Sequence, residues 1–483
     1  MRALLASSIG AACTAALVLP ALALPAGATA TVGAAPAGPD VPGATQSLPL
    51  APLPGLLRAD GEAVAQGLTR RDVRPFSLLG VVWDDVDAEL HGTVQVRTRA
   101  TGSGGWSAWQ DVETHNHEHG ADPGSTERTE GGPVRGSTAP LWVGDSDGVE
   151  VRVRPEPAGT GLLRGLTPPL PRGLRLELVD PGRAEEEAPV SDEAAEEEPV
   201  PEESVPEESV PESEAEPSGE EELPAAGAQS GIDNAQAAAL SPEAAAASAV
   251  NAELAPLGAG VIPALTKAQT EAEARMYGVA KPYVGPRPRI ITRKGWGADE
   301  NLREKQFVYT NGVKAAFVHH TATGNRYTCQ QAPSVLRSIY RYHVQSSGWR
   351  DFGYNFAVDK CGNIYEGRAG GVAKAVLGAH TRGFNSNSMG IAVIGTYSAT
   401  TPPAVAVTAV ARLTAWKLGL YGVDPTTTTY LTSAGGNKFT KGTKARLNVI
   451  SGHRDGFATD CPGSLLYSKL GVARSASAKY QGR

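Results

Sequence analysis

Apolar and polar residues alternate along several short runs in the N-terminal half of the chain. The runs Val94-Gln95-Val96-Arg97-Thr98 and Val149-Glu150-Val151-Arg152-Val153 have the two-residue period of half-buried strands. Clusters of Gly, Asp and Pro separate such runs, so residues 73–181 are predicted to form a small β-sandwich. Strands are predicted over residues 76–83, 93–98, 106–112, 141–143, 149–153 and 174–179.

Apolar strand-like runs alternate with helical periodicity from residue 288 to residue 483. In the helix predicted over residues 334–345, Val335, Ile339 and Tyr342 fall on one face. A second helix is predicted over residues 405–420. Strands are predicted over residues 315–319, 356–359, 363–367 and 391–395. This mixture predicts an α/β domain with a mixed central sheet flanked by helices.

The chain begins with the pattern of a signal peptide. Arg2 precedes an apolar run, and Ala28-Thr29-Ala30 fits a cleavage site, which assigns residues 1–30 to the signal. Pro20 and Pro25 interrupt the run, so no stable membrane anchor is expected. We therefore expect a secreted, extracellular protein associated with the cell wall.

Three further segments lack the pattern of a folded core. Residues 31–72 are rich in Pro, Ala and Gly and are predicted to be a flexible arm. Residues 182–230 are acidic and of low complexity, which predicts a disordered linker. Residues 231–287 form an Ala-rich connector whose stretch 235–276 is predicted to be helical.

The net charge of −8 hides a strong asymmetry along the chain. Residues 184–222 carry 18 acidic side chains and no Lys or Arg, whereas residues 287–483 carry a net charge of +17. A basic domain outside the cell suits an anionic cell-wall polymer. Nucleic acid, the rival anionic partner, is not expected, because the chain has no nucleic-acid motif and carries an export signal.

Three cysteines remain after the signal peptide, which contains Cys13, is removed. Disulfides persist outside the cytoplasm, and the economical solution pairs Cys329 with Cys361 and leaves Cys461 as a metal thiolate. Closing this 32-residue loop would stabilise the fold by roughly 3–4 kcal/mol. The alternative is that Cys461 is a free, buried cysteine that behaves as a small apolar residue.

Histidine and cysteine residues of the C-terminal domain suggest a zinc site. His319 ends a predicted strand, and His320 points to the opposite face, so the two should not bind one metal. His453 and Cys461 are eight residues apart and a loop between them can chelate. Zinc accepts such nitrogen and sulfur ligands, and a catalytic site keeps one position open. Spacing alone leaves His343 and His380 as further candidates.

A second group of histidines lies in the N-terminal domain. His115, His117 and His119 would share one face if they were on a strand, which would permit a metal site. Their turn-forming neighbours instead favour an exposed His-rich loop, and this is the interpretation we adopt.

The C-terminal domain resembles the peptidoglycan recognition protein family, the zinc-dependent type 2 N-acetylmuramoyl-L-alanine amidases. Any one matching motif is weak, but the set occurs in family order over about 180 residues. The matching segments are Val318-His319-His320-Thr321, Arg341-Tyr342-His343, Gly348-Trp349, Asp351-Phe352-Gly353-Tyr354-Asn355-Phe356, Tyr365-Glu366-Gly367-Arg368, Gly378-Ala379-His380, Gly390-Ile391-Ala392-Val393, Gly452-His453-Arg454 and Asp460-Cys461-Pro462-Gly463.

The resemblance implies an enzyme that cuts the amide bond between the lactyl group of N-acetylmuramic acid and L-alanine. It implies His319, His453 and Cys461 as ligands of Zn²⁺, with water in the fourth position. Relatives that only bind peptidoglycan commonly lack the cysteine. A non-catalytic peptidoglycan-binding protein is nevertheless the alternative, and a second rival makes the N-terminal domain the functional, interacting part.

The resemblance also implies roles for other residues. Tyr354 matches the catalytic tyrosine that stabilises the oxyanion, and Thr459 matches a position held by Lys or Thr in active relatives. The residues implied for the muropeptide groove are His320, His343, Arg368, His380 and Asn385. Arg368 would pair with a stem-peptide carboxylate. Ala369-Gly370 departs from the Gly-Trp of animal relatives that prefer diaminopimelate, which leaves the peptide preference open.

Overall fold

The structure, a computed structural model, describes residues 43–53, 65–114, 116–129, 132–156, 168–182, 259–276 and 283–483. The predicted signal peptide and all of the predicted acidic linker except residue 182 lie outside the described residues. The described residues belong to one compact unit. Among them, no helix has both the length and the apolar character needed to cross a membrane.

The described part of the N-terminal domain is built from a single eight-stranded antiparallel sheet. The strand order is β1-β8-β3-β7-β4-β5, and β2 and β6 each pair with β3. The strands are β1 (Ala44–Pro49), β2 (Ala51–Pro52), β3 (Gln66–Trp83), β4 (Gly92–Ala100), β5 (Gln110–Val112), β6 (Gly136–Ser137), β7 (Leu141–Pro155) and β8 (Arg175–Asp180). A short helix, α1 (Thr126–Thr129), lies between β5 and β6.

The two-residue period of β3 divides its apolar side chains between two cores. Leu79, Val81 and Trp83 join the core of the N-terminal domain, where side chains of β4, β7 and β8 meet them. Leu78 and Val82 point the other way and pack against the C-terminal domain. The prediction of a small β-sandwich domain is confirmed, and its described strands are hydrogen-bonded into one continuous sheet around the apolar core.

The N-terminal domain begins earlier in the chain than predicted. β1 pairs with β8 from Ala44↔Asp180 to Pro49↔Arg175, and β2 pairs with β3. The prediction of a flexible arm over residues 31–72 is therefore wrong for β1, β2 and the start of β3. Pro49 is tolerated in β1 because β1 is an edge strand. On the open side of an edge strand, backbone N–H groups have no neighbouring strand to bond, so a proline there costs no hydrogen bond.

The C-terminal domain contains the predicted mixed sheet. Its order is β17-β11-β14-β12-β13-β10-β9, and β15 pairs with β16 in a separate hairpin. β11 runs parallel to both β14 and β17, whereas β12 and β13 form an antiparallel hairpin. The strands are β9 (Val261–Ile262), β10 (Ile290–Ile291), β11 (Ala315–His320), β12 (Phe356–Val358), β13 (Ile364–Glu366), β14 (Ser388–Val393), β15 (Thr428–Thr432), β16 (Lys444–Asn448) and β17 (Ile450–Gly452).

Helices cover both faces of this sheet. Ile391 and Val393 of β14 share a core with the helices Ala404–Leu420 and Leu470–Gln481. Ala392, on the opposite face, packs with the helix Ala332–Arg341. The helices are α2 (Lys267–Met276), α3 (Ala332–Arg341), α4 (Ala404–Leu420), α5 (His453–Gly456), α6 (Ser464–Tyr467) and α7 (Leu470–Gln481). A 3₁₀ turn (Cys329–Gln331) precedes α3, and a π-helical turn (Tyr342–Ser346) continues it. α2 lies in the C-terminal part of the stretch predicted to be helical.

The two domains share a buried contact that the sequence does not predict. We call it the sheet–helix interface: Leu78, Val82, Trp142 and Val179 of the sheet against α3 and Tyr342. The Tyr342 hydroxyl donates to the carbonyl oxygen of Thr138 at 3.1 Å. Gly80 lies directly beneath this ring, and a Cβ atom there would come within 2.3 Å of the hydroxyl oxygen.

The predicted disulfide between Cys329 and Cys361 is confirmed, with the Cα atoms 6.2 Å apart. It ties the 3₁₀ turn before α3 to the turn between β12 and β13. Cys461 is buried and takes no part in a disulfide.

Candidate metal centre

Two parallel strands bring His319 and His453 together. β11 and β17 are neighbours in the sheet, and Val318 is in register with Gly452. The next residue in each case is a histidine, His319 within β11 and His453 at the start of α5, so both imidazoles emerge at the same carboxyl edge. Their ring centroids lie 4.5 Å apart, and both residues are fully buried.

Cys461 joins these histidines from the loop that follows α5. Its Sγ lies 3.7 Å from Nδ1 of His319. The loop is held by its own backbone, since the Arg454 N–H donates to the Cys461 carbonyl at 3.0 Å. The Cys461 N–H donates to Oγ1 of Thr459 at 3.1 Å.

A fourth candidate ligand, His119, comes from the N-terminal domain. Its ring centroid lies 4.5 Å from that of His453 and 5.4 Å from that of His319. One potential ligand atom from each of His119, His319, His453 and Cys461 falls within 4.8 Å of the others. These three nitrogen donors and one sulfur donor are the ligand types of a tetrahedral zinc site.

The chemistry of these side chains fits a cation. Both ring nitrogens of His119 and of His453 are shielded from solvent and have no hydrogen-bond partner, which is costly unless a ligand satisfies them. Burial lowers the pKa of His319 and His453 well below 6.5, so both rings are neutral, as metal ligands must be. Nε2 of His319 lies 3.3 Å from the Thr381 hydroxyl, which orients the ring and leaves Nδ1 for the metal.

Cys461 differs from the histidines in its protonation. Burial raises the pKa of its thiol well above the ordinary value, so the thiol keeps its proton when no cation is near. A bound cation would reverse this preference, because a coordinating thiol is deprotonated by the charge of the ion.

A cavity of about 570 Å³ opens beside the four side chains. Tyr354, which is buried, forms part of its wall, and the centroid of its ring lies 5.2 Å from that of His319. Burial raises the pKa of the Tyr354 hydroxyl well above 10, so it remains a proton donor at neutral pH. Thr459 also lines the cavity, and its hydroxyl donates to the Glu118 carboxylate at 2.7 Å.

Two residues assigned to the groove from the sequence lie on the cavity wall. His320 stands apart from the candidate ligands, as strand alternation predicts, and its Nδ1 accepts a hydrogen bond from the Tyr397 N–H at 3.2 Å. His343 stacks on Trp349 with 4.3 Å between ring centroids, and its Nδ1 accepts from the Gly353 N–H. Both rings are thus held by the amidase fold itself.

His380 and Arg368 lie behind the cavity rather than on its wall. His380 is fully buried, its Nδ1 lies 3.0 Å from the Thr381 hydroxyl, and it packs against His319. Arg368 donates to the backbone carbonyls of Phe352 and Leu377 at 2.8 and 3.1 Å. These contacts hold the guanidinium against the protein backbone, and its pairing with a stem-peptide carboxylate stays a prediction.

The side chain of Asn385 is hydrogen-bonded to the N-terminal domain. Its Oδ1 accepts from the backbone of His380 and Thr381, and its Nδ2 donates to the Gly120 carbonyl at 2.9 Å and to Oδ1 of Asp122 at 2.8 Å. The stretch responsible is residues 116–122, which we call the covering segment.

The sequence interpretation of an exposed His-rich loop is wrong for this segment. It is irregular, as expected, but Glu118 and Asp122 are buried and the ring nitrogens of His119 are shielded. His115 lies outside the described residues. The alternating histidines are the signal for this site in the sequence, but no local pattern indicates that His119 meets a second domain.

Comparison with known families agrees with this geometry. Residues 309–464 match the family described as N-acetylmuramoyl-L-alanine amidase. This match confirms the resemblance of the C-terminal domain to the amidase family. Residues 32–199 match the family described as Rv3811 N-terminal galactose-binding domain-like, so the N-terminal domain is galactose-binding-like.

Three similar proteins each match 38% of this chain. Peptidoglycan-recognition protein SC2 of Drosophila melanogaster is 29% identical over 181 residues, which are 38% of this chain and 84% of that protein. The N-acetylmuramoyl-L-alanine amidase of Sus scrofa is 33% identical over 188 residues, 38% of this chain but 27% of that protein. A crystal structure of peptidoglycan recognition protein-LE in complex with tracheal cytotoxin, a monomeric diaminopimelic acid-type peptidoglycan, is 28% identical with a TM-score of 0.29. It covers 38% of this chain and 92% of its own.

Proposed function

We propose that the protein is a secreted, zinc-dependent N-acetylmuramoyl-L-alanine amidase that removes stem peptides from peptidoglycan. The observation that carries this proposal is the convergence of His319, His453 and Cys461, of which Cys461 lines the cavity. Binding-only relatives commonly lack the cysteine, whereas this chain has all three residues.

A zinc ion held by these three residues would polarise the scissile amide carbonyl and supply a water-derived nucleophile at neutral pH. The protein's own contribution begins with orientation. Thr381 fixes the ring of His319, and the sheet edge fixes His453, so the ligands need little rearrangement.

Tyr354 acts on the carbonyl oxygen of the substrate. Its hydroxyl keeps its proton, because burial raises its pKa, and it can therefore donate a hydrogen bond as negative charge develops on that oxygen. A donor fixed in such a position contributes about 3–4 kcal/mol to the transition state. His320, His343 and Thr459 line the space in which the muropeptide would lie.

The test is mass spectrometry of peptidoglycan digested by the metal-loaded full-length protein. We expect released stem peptides with a free L-alanine amino group, and sugar chains that keep an intact lactyl group. Cys461→Ala should release none, and Cys329→Ala/Cys361→Ala, which removes cysteines without touching the site, should retain the product pattern. Cleavage at another bond, or equal release by Cys461→Ala, would contradict the proposal.

The second candidate is a peptidoglycan-binding protein without activity. It is favoured by one observation, that His119 offers a fourth protein ligand beside His319, His453 and Cys461, and four protein ligands are the pattern of a structural rather than a catalytic zinc site. Stem release distinguishes the candidates. A protein that binds purified wall and releases no stem peptide after long incubation would be the binder.

A further inference from the structure

We infer that His119 is the fourth protein ligand of the metal and that the covering segment occupies the substrate groove. The folded chain then holds its metal in a closed, four-ligand site, and the segment must move before a muropeptide can bind. The inference rests on the proposed function for its meaning, since it assigns a closed state to the same site.

The geometry around His119 is that of a ligand rather than of a neighbour. Its ring is as close to His453 as His319 is, with 4.5 Å between centroids in both pairs. Its two nitrogens share with those of His453 the condition of being shielded and without a hydrogen-bond partner. Zinc sites with four protein ligands are closed, whereas catalytic sites keep three and leave one position for water or substrate.

The residue before His119 blocks a second point of the groove. Glu118 is 1% exposed, and its Oε1 accepts the hydrogen bond of the Thr459 hydroxyl at 2.7 Å. The Glu118 carbonyl accepts from the Arg382 N–H at 2.9 Å, which fixes the backbone at this position. Thr459 is two residues before Cys461 in the chain. The Glu118 carboxylate thus takes up the Thr459 hydroxyl, which the polar groups of a substrate could otherwise reach.

The other end of the covering segment is anchored to Asn385. Oδ1 of Asp122 accepts from Asn385 Nδ2 at 2.8 Å and from the Gly383 N–H at 2.7 Å, and the Gly120 carbonyl accepts from the same amide. Gly120 has φ +113° and passes over the Trp349 ring, a conformation that favours glycine. The segment is therefore an acidic peptide laid in a groove of a basic domain, with the chemistry of a carboxylate-bearing stem peptide.

These anchors can be released without separating the domains. The bonds to Thr459, Gly383 and Asn385 are polar, and water or a substrate can replace them at small net cost. The apolar sheet–helix interface is made by other residues and would keep the N-terminal domain attached. Local opening of residues 116–122 is thus enough to expose the metal.

The test uses the full-length protein loaded with Co²⁺ and titrated with thiocyanate, a small anion that binds an open metal position. The visible spectrum of Co²⁺ reports the ligands directly. We expect His119→Ala to bind thiocyanate at least about tenfold more tightly than the wild type, since an apparent affinity falls with the fraction of sites that are open. His91→Ala is the matched control and should leave the affinity unchanged, because it removes an exposed histidine of the N-terminal domain that lies outside the covering segment and faces Glu89 at 3.9 Å.

A second variant keeps the experiment decisive if His119→Ala binds cobalt poorly. Glu118→Gln/Asp122→Asn retains His119 and weakens both anchors, and we expect it to bind thiocyanate more tightly than the wild type. Equal affinities in the wild type, His119→Ala and the double variant would overturn the inference. Thiocyanate is not a peptidoglycan fragment, so this result is independent of hydrolysis. Absence of stem release by His119→Ala would instead count against the proposed amidase.

Discussion

Two of the contacts between the N-terminal domain and the amidase domain have opposite character. At the sheet–helix interface, Leu78 and Val82 are fully buried among aromatic and aliphatic side chains. At the covering segment, Glu118 and Asp122 make hydrogen bonds. Apolar burial has no substitute in water, whereas a polar contact can be exchanged for another. The comparison separates a contact that joins the domains from one that a ligand can displace.

The largest effect is expected from Cys461→Ala, which removes one ligand and should abolish both bound zinc and amidase activity. Without the metal, no coordinate bond holds His119 in the site. Hydrogen exchange measured by mass spectrometry should therefore show faster exchange in residues 116–122 and unchanged exchange in α3. Equal acceleration in both regions would mean that the two contacts form one cooperative unit.

Tyr354→Phe is expected to have the next largest effect. In the His119→Ala background, where the groove is open, loss of this hydroxyl should lower the rate of stem release about 100-fold or more. Zinc content and the melting temperature should not change, because the ring is kept. A rate equal to that of His119→Ala would leave Tyr354 a purely packing residue.

Leu78→Ala tests the sheet–helix interface. Truncating this fully buried side chain should lower the free energy of unfolding by about 2–5 kcal/mol. Thiocyanate affinity of the cobalt protein should stay at the wild-type value, because the covering segment is anchored elsewhere. Leu48→Ala, at a half-buried leucine outside the interface, is the control and should cost less. Tighter anion binding in Leu78→Ala would show that the interface also holds the segment closed.

Asp122→Asn should give the smallest effect. The substitution keeps an oxygen that can accept from Gly383 and Asn385 but removes the charge, a change of about 0.5–1.5 kcal/mol. Thiocyanate should bind about two- to tenfold more tightly. Asp147→Asn, at a carboxylate bonded to Arg99 on the N-terminal domain, should leave the affinity unchanged. An unchanged affinity in Asp122→Asn would mean that Glu118 and His119, and not Asp122, keep the covering segment in the groove.

Much of the amidase domain can be predicted from the sequence, whereas little of the covering segment can. Strand periodicity separates His319 from His320, and the mixed sheet follows from alternating strands and helices. The convergence of His453 and Cys461 with His319 rests on the family resemblance, because loop spacing alone leaves other histidines open. The motif that contains Arg368 does not reveal its hydrogen bonds to the Phe352 and Leu377 carbonyls, because these depend on how the surrounding loops pack. His119 depends on two domains docking, which no local pattern encodes.

The four candidate ligands lie at positions 119, 319, 453 and 461, and this spread has a consequence for assembly. A cation held by all four would cross-link chain segments separated by more than 300 residues, and such a clip restricts the unfolded chain more as the loop it closes grows longer. The β core can form as soon as residue 180 has been made, but the metal cannot be captured by all four ligands until Cys461 has emerged. Metal loading is then the last folding event and a check that both domains are in place.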